Sequence, residues 1–469
     1  MKKNTLIYAV IGAICLMMTS CNDYLNILPT GKKIPTTYGD FEALLRDEYG
    51  VHSVPVRQAS MLLNDFFVSA STLNFERLSE VNYNWKESEN RIAFNNSDES
   101  TYYQGYASIA TCNLLIEYAP SMTEGTAIQK NQLIATAKVI RALNYYTLAN
   151  YYAATYDAAT ANTLKSVPLI ESANIEAAHR QVSIQELYDF MIGDIEQALP
   201  VLDNEGLTAL HPGKGAAYTL LARIYLQMEN YPKALENAQK ALAIKNDLYD
   251  WNAYYENNKA AIENPTNYTR RQSPMNHSYV ETYYFRHGTN ANFESSETLV
   301  RTDRAQRFET GDVKFASRWK LRTVGTDTYY YGTLIGYFNT HGLTTAEAYL
   351  IEAECLARAN RVSDAMTVLN KLRKTRIRTD LYQNLSATDP VEAVKLIQRT
   401  KQNEFIQSIV PFADRRRLNK DPQYATTLTK TENGQALSLS PTSHLWIMPF
   451  PQGALDNPGN GTIEQNVDR

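Results

Sequence analysis

AEAYLIEAECLARANRVSDAMTVLNKLRKTR, residues 346–376, decides the fold. Its apolar residues recur at the three- and four-residue spacing of amphipathic helices, which predicts two helices, over 344–359 and 362–377. Small and large residues alternate at fixed places: Ala353, Leu356, Ala365, Leu369 and Leu372. The stretch 222–241 repeats those spacings with Ala222, Tyr225, Ala234, Ala238 and Ala241. Small residues let the two helices of a hairpin approach closely, while large ones fill the groove of a neighbouring hairpin.

This register resembles the tetratricopeptide pattern, with generic antiparallel helices as the plainer reading. The copies lie far apart in sequence, so the chain is no simple tandem array. Helical spacing also predicts helices over 101–118, 131–152, 184–199, 214–229, 232–244 and 391–410. Ser183 with Glu186 three residues on reads as a capping box. Residues 246–342 lack sustained helical period and are rich in Asn, Thr, Gly and aromatic residues; 61–96 look similar on a smaller scale. A structureless loop of that length is abnormal inside a compact domain, so irregular structure with short strands is expected. The expected fold is mostly α, with helical hairpins forming a scaffold that carries a long, loop-rich insert.

At the N-terminus, Lys2 and Lys3 precede an uncharged run from Leu6 to Met18, and Met18-Thr19-Ser20-Cys21 follows. A basic start, a short apolar segment and small residues before a cut define a secretory signal, here 1–20. The run is too short to span a bilayer, which takes about 20 residues. The cysteine after the small pair resembles a bacterial lipobox, with Met18 in place of the usual Leu, Val or Ile. Acylated Cys21 would anchor the chain to a membrane through its lipid. Residues 21–40 read as an extended lead.

Hydrophobic content of 44% and charged content of 20% are those of a globular protein. The net charge of −4 gives no electrostatic case for nucleic acid. Cys112 and Cys355 sit in helix-like apolar stretches that favour buried thiols; a disulfide between them is compatible with export but cannot be read from spacing. The seven histidines form no HExxH and no zinc-spaced cluster with cysteine, and no G-x-S-x-G elbow occurs. HPGKGAAYTLL (211–221) lacks the phosphate-loop spacing and reads as the turn opening a helix. Acidic residues are plentiful, but none is singled out as a glycosidase pair. The sequence supports no enzyme and implies no cofactor.

Aromatic residues outside the helices stand out, in a chain with 32 Tyr against 14 Phe. A phenol joins an apolar face to a polar tip, which suits half-exposed packing and wet binding surfaces alike. Flat rings beside Asn, Asp and Arg suit a sugar, whose C–H face stacks while its hydroxyls take hydrogen bonds. The candidate ligand-binding residues are Asp65, Tyr83, Trp85, Tyr254, Tyr283, Trp319 and Tyr330.

The chain resembles the SusD/RagB family of surface lipoproteins over nearly its whole length. CNDYLNILPTG (21–31) is similar to the family's mature start. Tyr106, Ile109 and Asn113 match its Y-x-x-I-x-x-x-N helix, and AKVIRALNYYTLANYYA (137–153) followed by VPLI (167–170) matches its RA-x-x-Y segment. Glu347, Ala353, Glu354, Asn370 and Arg373 are in place within 346–376. Pro449, Pro451, Asn457, Pro458, Gln465 and Asn466 match its close. The box at 400–418 keeps Glu404, Phe412, Asp414 and Arg415 but lacks the family's glycine and tryptophan, which unsettles local packing there.

The resemblance implies a non-catalytic outer-membrane protein that captures oligosaccharides, or in some members peptides, and hands them to a SusC-like TonB-dependent transporter. A helical scaffold binding only protein is the competing class. The organisation expected is a signal peptide (1–20), a lipid-anchored lead (21–40), an N-terminal helical region (41–245), the aromatic-rich insert (246–342) and a C-terminal RagB/SusD region (343–469).

Overall fold

A computed structural model describes residues 35–48, 50–74, 77–94, 100–286, 299–432 and 434–467. The signal segment, Cys21 and most of the extended lead lie outside the described residues. Within the lead, a helix already begins at Tyr38, capped reciprocally by Thr37 and Asp40.

The longer helices are α1 (Ser100–Tyr118), α2 (Ala127–Tyr152), α3 (Ile184–Ala198), α4 (Lys214–Gln227), α5 (Tyr231–Ile244), α6 (Trp251–Glu263), α7 (Thr345–Arg358), α8 (Val362–Arg373), α9 (Pro390–Glu404) and α10 (Ile409–Leu418). The two repeat-like stretches form the hairpins α4/α5 and α7/α8, and α5 packs against α7. Sequences more than a hundred residues apart therefore stack as neighbours. Ala234, Ala238 and Ala241 of one hairpin and Ala353 and Ala365 of the other are fully buried, as the close-approach reading requires. Arg223 of α4 meets Glu347 of α7 through two hydrogen bonds of 2.6 Å, which fixes the angle between the hairpins. Gly213 caps α4, and the next glycine, Gly215, lies where a Cβ would fall 2.5 Å from the Tyr283 ring.

The family-like residues of the first half act together on one stretch of backbone. Tyr106 of α1 donates to the Pro168 carbonyl (2.7 Å), while Asn113 and Tyr145 both donate to that of Ile170 (2.9 Å each). Arg141 of α2 holds Asp194 of α3 with two bonds of 2.8 Å and Asn113 with a third of 2.7 Å. Strand 165–169 thus lies across α1 and α2, pairs antiparallel with 179–183, and 461–462 adds parallel to the latter. The chain end closes on α2: Asn466 donates to the Tyr152 carbonyl (2.5 Å), and Gln465 and Asn466 both accept from the Phe450 N–H.

Three expectations need correction. The helix expected over 391–410 breaks after Glu404, where Gln407 takes a left-handed φ of 78°, and resumes as α10. In that box Phe412 is fully buried against Tyr151 and Trp446, so an aromatic other than tryptophan fills the core there. The insert is less irregular than its composition suggests. Asp250 caps α6, whose Asn-rich sequence has weak intrinsic helicity, and burial of Trp251, Tyr255 and Ile262 along one side supplies what propensity lacks. The Ser183 cap is one-sided: its hydroxyl accepts from the Glu186 N–H, but the Glu186 carboxylate goes to Arg180 instead. Cys112 and Cys355 are both free and buried, and burial pushes each thiol up to about 12.

Buried charge ties the insert to the scaffold. Arg376, just past α8, pairs with Glu281 of the insert (2.7 Å) and Glu404 of α9 (2.8 Å), and Lys314 of the insert also reaches Glu404 (2.8 Å). A second cluster joins Arg417 to Glu354 (2.9 Å) and Asp414 (3.0 Å), with Lys401 on Asp414 (2.7 Å). Arg376→Ala would leave two buried carboxylates short of a cation, so unfolding stability at pH 7 should drop by about 3–5 kcal/mol, read by urea denaturation. Burial alone would raise the Glu354 carboxyl, but Arg417, Arg358 and Lys401 outweigh it and hold it down from 4.5 to about 2. Its stabilising contribution is therefore complete above the ordinary value of 4.5 and should be lost as pH falls through about 2, seen as a declining urea midpoint across that window.

Candidate functional site

The seven residues chosen from the sequence divide by burial. Asp65, Tyr83, Trp85, Tyr283 and Trp319 are buried, while Tyr254 and Tyr330 are half-buried. Asp65 pairs with Arg304 at 2.5 Å, and burial raises its carboxyl despite that partner. Tyr83 accepts from Arg301 (2.6 Å) and has the Lys430 ammonium 4.0 Å from its ring centroid. Burial, reinforced by Arg301, pushes Lys430 down to about 7. Trp85 sits at a left-handed φ of 51°, anchored by its indole N–H on the Leu62 carbonyl (3.2 Å). Trp319 packs with Phe308 and Phe315 under the Arg318 guanidinium, 4.0 Å from its ring centroid. Tyr254 donates to the Gln272 carbonyl (3.1 Å). These seven do not form one exposed surface.

A half-exposed ring surface does exist beside two of them. Strands Trp319–Val324 and Asp327–Gly332 form an antiparallel hairpin, edged by Val300–Arg301. Residues directly opposite one another share a face, and successive residues alternate faces. Tyr330 lies opposite Leu321 on the face of Trp319, where its ring meets Phe315 at 5.0 Å. Tyr329 and Tyr331, its chain neighbours, lie on the other face with Lys320 and Arg322. Tyr330, the residue chosen from the sequence, thus faces away from its two tyrosine neighbours.

That outer face carries a row of half-buried rings. Phe67 stacks on Tyr329 at 4.9 Å, and Tyr268 meets Tyr331 edge-on at 6.3 Å. Arg322 lies between the two tyrosine rings of the second pair, and Arg270 donates to the Tyr331 hydroxyl (2.6 Å). The loop bearing Tyr268 is fixed from below: Lys320 donates to the carbonyls of Ala261, Asn264 and Asn267 (2.9, 2.5 and 2.7 Å), and Tyr268 donates to that of Leu321 (3.0 Å). Rings held this way present their faces without a large ordering cost on binding.

Tyr283 instead lies at a concave groove of about 410 Å³, lined also by Asn204, Glu205, Lys245, Asp247 and His277. The groove has small-molecule dimensions. Its aromatic content is mostly withdrawn: Tyr279 and Tyr283 are buried, and the Tyr283 hydroxyl donates to the Lys245 carbonyl (2.5 Å). Among the described residues no group of three His, Cys, Asp or Glu side chains could hold a metal ion, and no helix is long and apolar enough to cross a membrane.

Sequence reasoning did not single out Phe67 or Tyr268, and counted Tyr329 and Tyr331 among the insert's clustered aromatics without choosing them. The period-2 run from Lys320 to Tyr331 was the available signal for the last two; Phe67 and Tyr268 reach the face only through the fold.

Residues 23–226 match the SusD-like family described as "Starch-binding associating with outer membrane". No curated protein matches significantly. Solved structures that this chain resembles include a SusD superfamily protein from Bacteroides thetaiotaomicron, 16% identical with a TM-score of 0.71, covering 92% of this chain and 100% of that one. Another, a SusD superfamily protein from Bacteroides vulgatus, is 16% identical with a TM-score of 0.70, over 92% and 99% of the two chains. A third, described as a SusD-like carbohydrate binding protein from Bacteroides vulgatus, is 16% identical with a TM-score of 0.63, over 93% and 100%.

Because Trp85 and Trp319 are built into the packing, alanine at either should act on folding. Each substitution is expected to cost about 3–5 kcal/mol in denaturant unfolding. A stable, fully folded variant with altered ligand binding alone would contradict that placement.

Proposed function

We propose, from the premise that this chain belongs to the SusD/RagB family, that it is a non-catalytic surface lipoprotein which captures oligosaccharides and passes them to a TonB-dependent outer-membrane transporter. The family description as starch-binding and outer-membrane-associated supports both the ligand class and the location. The carbohydrate binding protein among the similar structures supports the ligand class. A lipid on Cys21 would supply the anchor, leaving the helical scaffold and its insert outside the membrane.

The observation that carries the reading is the row Phe67, Tyr329, Tyr331 and Tyr268 on one sheet face. Half-exposed rings offer apolar faces for sugar C–H groups, with hydroxyl and guanidinium donors alongside. A surface of this kind can work at modest affinity, since a millimolar dissociation constant corresponds to only about −4 kcal/mol.

Titration against a panel of polysaccharides and oligosaccharides tests it. Tyr331→Ala is expected to weaken the best glycan at least about tenfold, roughly 1.4 kcal/mol, while its unfolding temperature stays close to the parent's; Tyr268→Ala, which also removes the bond to the Leu321 carbonyl, is expected to weaken binding similarly with a small loss of stability. Ser278→Trp, which fills the exposed floor of the 410 Å³ groove, is expected to change that affinity little. Binding of oligopeptides with silence across all glycans would contradict the proposal.

A further inference from the structure

We infer that the ring row selects acidic saccharides, those bearing carboxylate or sulfate groups, and that Arg322 is the residue that meets the anion. The inference rests on the glycan-capture reading above and adds the chemical class of ligand.

Arg322 rises from the outer face of the hairpin, opposite Tyr329 in register. Its guanidinium lies 5.4 Å from the ring centroid of Tyr268 and 5.2 Å from that of Tyr331. Both contacts are within cation–π range, so the rings hold the planar group without neutralising it. Among the described residues no carboxylate pairs with Arg322, which is half-buried rather than fully extended into solvent. The other cations of this face differ. Arg301 is taken by Asp303 (3.0 Å) and Glu432 (2.5 Å), and Lys320 by its three carbonyls. Arg270, through its bond to the Tyr331 hydroxyl, brings a second guanidinium beside the same ring, 6.0 Å from its centroid. The carboxylate that the hairpin itself contributes to this face is Asp327, opposite Val324 at the turn.

Arg322, with no carboxylate partner among the described residues, sits on a chain whose net charge is −4. A guanidinium fork matches carboxylate and sulfate oxygens two at a time, and a fork already held between rings loses less freedom on binding. A sugar ring stacked on Tyr331 or Tyr268 would carry its acidic substituent to the fork's edge. A neutral sugar would use the rings and leave those donors to water.

The test compares two pairs of polymers that share a backbone and differ in their acidic groups: polygalacturonate against its fully methyl-esterified form, and dextran sulfate against dextran. Calorimetric titration of the full chain at 50 mM salt is expected to show at least tenfold tighter binding of one acidic polymer than of its neutral parent, with the preference shrinking in 0.5 M salt as screening shortens. The first pair reports a carboxylate ligand and the second a sulfate. In Arg322→Gln the acidic preference should fall to near unity, and in Arg322→Lys, which keeps charge but loses the fork, to an intermediate value. Arg270→Gln gives a second reading should Arg322→Gln fold poorly, and is expected to reduce the preference as well. Equal binding of acidic and neutral forms, or an acidic preference untouched in folded Arg322→Gln, overturns this inference while glycan capture stands. Binding of none of these four polymers, with a neutral glycan of the wider panel bound, likewise overturns this inference alone; silence across the whole panel overturns both.

Discussion

Arg376, clasped between Glu281 and Glu404, is the interaction on which the position of everything outside the helices depends. Its three neighbours come from separate parts of the chain: Glu281 from the insert, Glu404 from the end of α9, and Lys314 from the insert helix that leads into the ring-bearing hairpin. Burial by itself would raise the Glu404 carboxyl, but Arg376 and Lys314 hold it well below the ordinary carboxylate range. Beside them burial raises Asp312 to about 7, against its hydrogen bond from the Phe315 N–H. Two small cavities of about 20 and 10 Å³ border this cluster, each with room for roughly one water. Such a cluster adds little net stability over an apolar core of the same shape, but loss of one partner is costly. It therefore acts as a register pin. Lys314 can reach Glu404 only when its helix sits in one place, and that placement sets where the strand from Trp319 onward begins.

The excess of tyrosine follows from the same division between regular and irregular backbone. An irregular segment leaves carbonyls without the partners that helices and sheets provide, and buried carbonyls need donors. Phenols supply them at a distance. Tyr145 reaches Ile170, Tyr283 reaches Lys245, Tyr349 reaches Asn246, Tyr382 reaches Asn370 and Tyr268 reaches Leu321, all as donors to carbonyls. Phenylalanine would fill the same volume and remove each of these bonds. The packing reading of the composition applies to these phenols, which staple one segment to another; the ligand-stacking reading is the one proposed for the half-buried rings on the hairpin face.

The scaffold was legible because its signals are local. The alternation of Ala353, Leu356, Ala365 and Leu369 states a close-packed hairpin outright, and Asn113, Arg141, Glu347 and Glu354 proved to be the polar residues that join helices and loops. Those family-like letters are structural, which is why they lead to the fold and not to the ligand. The proposed binding face was not legible, because Phe67, Tyr268 and Tyr331 come together only after the insert folds. A single-residue shift in a strand also moves a side chain to the opposite face, and Tyr330 against Tyr329 and Tyr331 is that case. The helix α6 escaped notice for a related reason: its stability lies in what Trp251 and Tyr255 pack against, not in its own sequence.

Fold, anchoring cluster and ring row converge on a single spatial claim, that ligand lies along the outer face of the hairpin and not in the groove beside Tyr283. A crystal structure of the protein with its best-binding oligosaccharide addresses it directly. The expected result is a sugar ring stacked on Tyr331 or Tyr268 with an oxygen at hydrogen-bond distance from Arg322 or Arg270. A saccharide seated instead among Asn204, Asp247 and His277, with the hairpin face bare, would contradict the account.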